Sequence, residues 1–404
     1  MSTSLLYHAF GLRGYQYRAS LYEEGHVTFT IEKRPHTCRC PVCKSSEVIF
    51  HGHEQRRFRT IPIGNKPVFL DLAIPRVECR HCQITRQVRL GFADERRSFT
   101  RSFERYALEL SRHTTIQDAA RHLDVGWDTI KDIQKRYLSK KYKKPKLRKL
   151  REIAIDEIAV GKGHRYLTVV LNLETGAVVF VGDGKGADAL VPFWKRLKAS
   201  RARIQAVATD MSPAYIQAVR ENLKNAVHVF DHFHVVKLFN EKLSAFRREQ
   251  QREAEGSQAK KVLKGTRWLL LKNPENLDPK RNERERLDEA LKLNQPLATA
   301  YYMKEDLRQI WDQPNRRTAR KVLNDWCRRA RASGIAMLEQ FAETLEKHAD
   351  GILNYYKYPI STGPLEGTNN KIQTMKRMAY GFRDIEFYKL KIYGLHETKY
   401  ALVG

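Results

Sequence analysis

Residues 151–161 read REIAIDEIAVG, an apolar, β-branched alternation interrupted by Asp156. The chain continues through RYLTVVLNL (165–173) and AVVFVGDG (177–184), and the turns Gly161-Lys162-Gly163 and Glu174-Thr175-Gly176 join the three segments. Strand-like runs separated by Gly-bearing turns predict an antiparallel meander. In ADALVPFWKRLKAS (187–200), Leu190, Phe193, Trp194 and Leu197 recur at helical spacing and predict an amphipathic helix. RIQAVATD (203–210) reads as a short buried strand ending in Asp210. SPAYIQAVRENL (212–223) reads as a helix with Ser212 as N-cap and Pro213 at its first position, and AVHVFD (226–231) as a strand ending in Asp231. A meander followed by a helical crossover predicts a mixed α/β sheet in which Asp156 and Asp210 lie side by side. A lone carboxylate in an apolar strand loses several kcal/mol of hydration. A divalent ion removes that cost, and hard oxygen ligands suit Mg²⁺ or Mn²⁺. The competing reading, equally good for either residue alone, is that each Asp caps the helix or turn after it.

The 404 residues hold 74 Lys and Arg against 46 Asp and Glu, a net charge of +28, which is enough chain for two or three domains and enough charge to make a polyanion the expected partner. No run of eighteen apolar residues exists, so no membrane span is expected. The start MSTSLLYHAFGLRG lacks the pattern of a signal peptide, so a cytoplasmic location is expected. Five of the six cysteines fall between residues 38 and 82. Cys40-Pro-Val-Cys43 and Cys79-Arg-His-Cys82 form two knuckles whose four thiolates suit one tetrahedral, structural Zn²⁺. The strand-like segments VIFHGHEQRRFRTIPIG and PVFLDLAIPRVEC between them predict a ribbon elaborated by a hairpin. Cys38 is a spare thiol that could compete with Cys40, and His51 and His53 are alternative ligands or plain surface histidines. Arg56, Arg57, Arg59, Lys66, Arg76 and Arg80 predict a basic surface for phosphates.

SFTRSFERYALELSRH (98–113) reads as a helix with Phe103, Tyr106, Ala107 and Leu110 on one face. TTIQDAARHL follows with Thr115 as N-cap, then a turn at Asp124-Val125-Gly126, then WDTIKDIQKRYLSK with Ile130 and Ile133 inward. This is a helix-turn-helix pattern, with Trp127, Thr129, Lys131, Gln134 and Lys135 as outward candidates for duplex DNA; an ordinary helical hairpin gives the same pattern. The Lys- and Arg-rich segment around Pro145 reads as a phosphate-contacting hinge. From about residue 237 to 355 the chain predicts an all-helical insertion with Trp268, Leu269, Trp311, Leu323, Trp326, Cys327 and Leu338 buried. Near Ser361 the character changes. Ser361 and Thr362 can cap a helix, Pro364 suits its first turn, and Glu366 follows, where a carboxylate also favours the helix dipole. Asn369, Asn370, Lys371, Gln373, Lys376 and Arg377 then give that helix a polar, cationic face suited to DNA sugar and phosphate, and Glu366 heads it as a candidate third metal ligand.

Zinc ribbon, helix-turn-helix, Asp, Asp, helical insertion, then STGPLEGTNNKIQ (361–373) and KRMAYGFR (376–383) in that order resemble the bacterial insertion-sequence transposases of the ISL-three group. The resemblance covers essentially the whole chain and is most specific over Ser361–Arg383, while little beyond helicity matches over 240–355. It implies a multidomain α+β protein with an RNase H-like core. The expected parts are a zinc ribbon (1–97), helix-turn-helix (98–140), basic linker (141–150), core (151–236), insertion (237–355) and core completion (356–404). It further implies that Asp156, Asp210 and Glu366 form a DDE triad, with Asp231 and His234 as an auxiliary Asp-x-x-His element. The implied activity is cleavage and strand transfer at the element's terminal inverted repeats, by a homodimer using two Mg²⁺ or Mn²⁺ ions. The alternative is a DNA-binding regulator without cleavage. Tyr166, Tyr355, Tyr356 and Tyr380 are the residues a tyrosine recombinase would recruit, but no Arg and His constellation accompanies them.

Overall fold

The computed structural model describes residues 5–161, 165–254 and 257–395. The chain divides into two units, one holding residues up to Lys143 together with Thr374–Gly394, the other Lys144–Gln373.

In the first unit, helix α1 (Leu5–Phe10) precedes a hairpin of β1 (Tyr15–Glu23) and β2 (His26–Lys33). The segments flanked by the two knuckles form the expected long hairpin, β3 (Val48–Ile63) with β4 (Lys66–Cys79), and a short β5 (Thr85–Gln87) pairs with the end of β4. β4 also pairs in parallel with β2, giving the order β1-β2-β4-β3. The alternation along β4 explains its central place: Val68, Leu70, Leu72 and Ile74 are all buried, each contributing about 1.5–3 kcal/mol. Three helices follow, α2 (Arg101–Leu110), α3 (Ile116–Leu123) and α4 (Trp127–Tyr142). Thr100 and Thr115 cap α2 and α3 by accepting from Phe103 N–H and Asp118 N–H, a contribution of about 1 kcal/mol each. Asp124, left-handed at φ 49°, ends α3. Phe103 and Ala107 are buried on α2 as expected, but Tyr106 is exposed. Arg59, expected on the phosphate surface, is buried instead and donates to the Leu123 carbonyl, where the helix end attracts a cation. Arg57 is paired with Asp71.

In the second unit the sheet runs β6 (Glu152–Gly161), β7 (Arg165–Asn172), β8 (Val178–Asp183), then helix α5 (Val191–Ser200), β9 (Ala206–Thr209), α6 (Pro213–Asn222) and β10 (Val227–Phe230). The strand order is β10-β9-β6-β7-β8, antiparallel through the meander and parallel from β6 to β9 to β10. Beyond Gly161, the expected first turn lies outside the described residues. Ile153, Ile155, Val170, Phe193, Trp194, Leu197 and Tyr215 pack into one core. Leu147 and Leu150 are buried in it too, so the segment expected as a phosphate-contacting hinge is partly core. Next come α7 (His232–Glu253), α8 (Ser257–Gly265), α9 (Arg267–Leu271), α10 (Glu283–Leu293), α11 (Gln295–Arg308), α12 (Arg316–Ala332), α13 (Ala336–Lys347) and α14 (Ala349–Leu353). Their core gathers Val235, Phe239, Leu243, Leu323, Trp326, Cys327 and Phe341, with Trp311 packed against it. Trp268, expected to be buried, is 64% exposed. Finally α15 (Gly363–Met378) and α16 (Ile385–Gly394) close the described chain, and α15 spans the boundary between the units.

Candidate functional site

The parallel register pairs Ala154 of β6 with Ala208 of β9. Asp156 lies two residues further along β6, and Asp210 directly follows Thr209, the last residue of β9, near enough for its charge to act on Asp156. Asp156 Oδ1 accepts from Glu157 N–H at 2.8 Å, and Oδ2 accepts from Asn369 Nδ2 at 2.9 Å. Burial pushes the Asp156 carboxyl up to about 6; the charges of Asp210 and Glu157 add to that, while the Glu157 N–H bond and His234 oppose it. Asp210 Oδ1 accepts from Ser212 N–H at 3.0 Å, and Ser212 itself makes no side-chain cap. The capping alternative thus describes part of what Asp210 does. Behind the pair, His228 Nε2 lies 2.7 Å from Thr209 Oγ1, whose hydroxyl donates to Asp210 O. That leaves Thr209 as acceptor and His228 with its proton on Nε2, and burial pushes His228 down to about 4, so the ring is neutral.

Asp231 occupies the N-cap position of α7 without capping it. It is 1% exposed, and Oδ2 accepts from the Thr362 hydroxyl at 2.5 Å. Oδ1 is enclosed without a hydrogen-bond partner: His232 Nδ1 lies 3.2 Å away, an electrostatic contact rather than an aligned bond. Burial alone would raise this carboxyl, but the nearby His232 ring, the Thr362 hydroxyl and the charges of His232 and His234 outweigh it and hold Asp231 below the usual carboxylate range. His234 is half-buried and acts on both Asp156 and Asp231.

Helix α15 carries Glu366 in its first turn. Thr362 bonds Asp231, Asn369 bonds Asp156, and Gln373 Nε2 bonds Ala159 O at 2.8 Å. Positions 362, 369 and 373 fall on one helical stripe, and 366 belongs to the same stripe. Glu366, half-buried, shares that stripe with Thr362 and Asn369. Asn369 Oδ1 is a second enclosed acceptor without a partner. Asn370 and Lys371 are exposed, Lys376 half-buried and Arg377 exposed.

The four knuckle thiols meet as expected. Cys40 Sγ lies 3.6 Å from Cys82 Sγ and Cys43 Sγ 3.4 Å from Cys79 Sγ, close to the ~3.8 Å edge of a tetrahedron with ~2.3 Å metal–sulfur bonds. Burial would raise the Cys40 thiol, but N–H groups of Cys43 and Val42 facing its sulfur bring it down to about 6. The quartet fits a structural zinc ion. Cys38 is buried apart from it, with Sγ on Arg34 O, and His51 pairs with Glu78. Among the described residues this quartet is the only group of three or more such ligand atoms all within 4.8 Å of one another, so Asp156, Asp210 and Glu366 are not gathered that closely.

On α4, Trp127 is exposed, Thr129 half-buried, and Lys131 Nζ lies over the Trp127 ring. Gln134 is not outward: it is buried and accepts from Lys391 Nζ of α16. Lys131 and Lys135 are both engaged by the Asp384 carboxylate, at 3.2 and 2.8 Å.

A family model described as a transposase matches residues 153–392, a helix-turn-helix domain of transposase family ISL3 matches 88–138, and the zinc-finger of transposase IS204/IS1001/IS1096/IS1165 matches 36–82. The chain belongs to the ISL3 transposase family. The transposase for insertion sequence element IS1001 of Bordetella parapertussis is 35% identical over 87% of this chain and 87% of its own. The transposase for IS1557 of Mycobacterium tuberculosis is 28% identical over 85% of this chain and 82% of its own. The Drosophila P element transposase strand transfer complex aligns with a TM-score of 0.37 at 12% identity, over 73% of this chain and 92% of that one, a likeness too low to bear on the fold. This ISL3-family chain is thus a DNA-binding enzyme of the transposase class, and none of its described helices is long and apolar enough to cross a membrane.

Two contacts at the acid cluster escape sequence reasoning. Thr362 reads as a cap, but its hydroxyl goes to Asp231. Glu157, facing away from Asp156, accepts from the buried Tyr215 hydroxyl at 2.5 Å and ties β6 to α6.

Proposed function

We propose that this ISL3-family chain cuts DNA at the terminal inverted repeats of its own element and joins the freed end to target DNA, using Asp156, Asp210 and Glu366. The observation that carries the reading is the 2.9 Å bond from Asn369, one turn beyond Glu366, to the Asp156 carboxylate. The donor set fits divalent ions. A half-buried carboxyl raised to about 6, and two enclosed acceptors without partners, Asp231 Oδ1 and Asn369 Oδ1, all gain from a nearby cation. Two ions ~4 Å apart with ~2.1 Å ligand bonds engage oxygens up to ~8 Å apart, so a two-ion site does not require all three acids within 4.8 Å of one another. When bound, Mg²⁺ or Mn²⁺ would activate the attacking oxygen and stabilise the leaving 3′ oxygen. Asp156 and Asp210 hold that site from the sheet and Glu366 from α15. Thr362 and Asn369 fix the helix stripe, while neutral His228 supports the strand end behind Asp210. His234 is available for the scissile phosphate, and Trp127, Thr129 and the Asn370, Lys371, Lys376 and Arg377 face for DNA. Holding two element ends together calls for a homodimer, and the chromosome or plasmid in the bacterial cytoplasm is its place of work. The test is incubation of the full chain with a labelled duplex ending in the repeats that flank its coding region. Mg²⁺-dependent nicking at the repeat ends, abolished by EDTA, Asp156→Asn and Glu366→Gln, is expected. Tight repeat binding without nicking would replace this reading with that of a regulator.

A further inference from the structure

Helix α15 ends in a Schellman motif: Gly381 N–H bonds Lys376 O at 2.9 Å and Tyr380 N–H bonds Arg377 O at 3.1 Å. The residue past the cap in this motif adopts left-handed backbone, and glycine is the residue favoured there because a Cβ crowds the following carbonyl. Here that residue is Tyr380 at φ 51°, although a glycine follows it directly. A bulky aromatic at positive φ is strained, and such strain persists where something else returns the cost. Packing returns nothing, because Tyr380 is 101% exposed and makes no ring contact among the described residues. The cations around it, Lys376, Arg377 and Arg383, have no carboxylate partner among the described residues.

We infer that Tyr380 is a base-stacking residue, presented at the end of α15 to take the face of an unpaired nucleobase while Lys376, Arg377 and Arg383 hold the flanking phosphates. An aromatic ring offers a face to any base, and a base offers its own face only when it is out of the duplex stack. The unpaired cations exclude an apolar or basic protein surface as the partner and favour a polyanion. The ligand is thus single-stranded or locally unpaired DNA. The choice of ligand rests on the proposed reading of the chain as a transposase, but binding is measured without chemistry, so the two stand or fall separately.

The experiment uses the zinc-loaded full chain in EDTA-free, Mg²⁺-free buffer, with fluorescence anisotropy on a 30-nucleotide oligo(dT) and on a blunt 30-base-pair duplex. Tyr380→Gly is expected to weaken oligo(dT) binding by about fivefold to a hundredfold, the ~1–3 kcal/mol of one stacked base at 1.4 kcal/mol per tenfold. It should change duplex binding less than twofold and leave Tm equal to or up to about 3 °C above wild type, since the left-handed position then holds glycine. Tyr380→Phe, which keeps the ring, should bind like wild type. Unchanged oligo(dT) affinity in Tyr380→Gly, equal losses on both DNAs, or no oligo(dT) binding by wild type overturns the inference. Loss of self-association in sedimentation with DNA binding intact overturns it too, in favour of a protein contact. If wild type never nicks repeat DNA but Tyr380→Gly loses oligo(dT) binding, the inference holds and the cutting reading fails.

Discussion

Asp156→Asn should make the chain more stable in EDTA and less responsive to Mg²⁺. Lifting the Asp156 carboxyl from 3.8 to about 6 corresponds to about 3 kcal/mol of disfavoured ionisation at neutral pH. Asparagine removes the charge but offers one acceptor oxygen where two donors, Glu157 N–H and Asn369 Nδ2, now meet two. Losing one of those bonds costs about 1–1.5 kcal/mol. Discounted for the partial exposure of Asp156, the net gain is about 1 kcal/mol, or a rise in Tm of about 2–4 °C. The unfolded chain ionises this carboxyl near 3.8 and the folded chain near 6, so the folded state binds the extra proton between them. Wild-type stability therefore falls as pH rises through that window, and the gap to the variant is widest above pH 6 and closes below about pH 4. In Mg²⁺ at a hundred times its dissociation constant wild type gains about 2.7 kcal/mol. The variant, lacking one charge, should gain much less, so the order of stability reverses between EDTA and Mg²⁺. Differential scanning calorimetry on both proteins in both buffers measures this. A variant less stable than wild type in EDTA, or equal Mg²⁺ gains for both, would refute the placement of Asp156 in a cation-gathering cluster.

Cys79→Ser should lower bound zinc below stoichiometric and destabilise the first unit by several kcal/mol, because structural zinc supplies ~10–16 kcal/mol in isolated fingers; metal analysis and thermal unfolding read both. Lys391→Met should stabilise the chain by about 1–2 kcal/mol at pH 7. The ammonium is fully buried with one acceptor, Gln134 Oε1 at 3.2 Å, and burial brings it down to about 8. Below pH 8 both folded and unfolded lysine are charged and the penalty is complete; it fades as pH rises from 8 to 10.5, so the advantage of methionine in urea titrations should fade with it. Gly351→Ala would put a Cβ 2.3 Å from the Phe230 ring, next to Asp231. A loss of about 1–3 kcal/mol is expected, with partial rescue by Phe230→Leu; no rescue would show that the clash is relieved elsewhere.

What was legible in the sequence is what local period and spacing encode. Alternation marks β6 and a short apolar run marks β9, the intervening helical crossover makes their pairing parallel, and the observed register carries Asp156 and Asp210 toward the same ends of those strands. Two C-x-x-C knuckles flanking a hairpin likewise announce their own meeting. The parallel pairing of β2 with β4 was not legible, because it joins segments with no shared turn. The expected outward face of α4 failed for a related reason. Helical period tells which side meets its chain neighbours, but Lys135 is engaged by Asp384, 249 residues away, and Gln134 is covered by Lys391. Trp268 shows the converse, an apolar residue at helical spacing that nothing covers.

Glu366 depends on both kinds of information. Its helix could be foreseen from Pro364 and the polar run after it, but its side could not, since a carboxylate in a first turn is favourable whichever way it faces. The side is decided by three hydrogen bonds on one stripe, and two of them end on Asp231 and Asp156 themselves. Leu365, Ile372 and Met375 bury the other face of α15 and would hold the helix in place without specifying what the stripe touches. At about 1.5–3 kcal/mol for a bond to a charged group, the two carboxylate bonds favour this seating most when both acids are ionised. The same ionisation is what a divalent ion requires of them. On the proposed reading, seating of the Glu366 helix and readiness of the aspartates for a cation are one equilibrium rather than two, and a change at Thr362 or Asn369 should reach Glu366 without touching it.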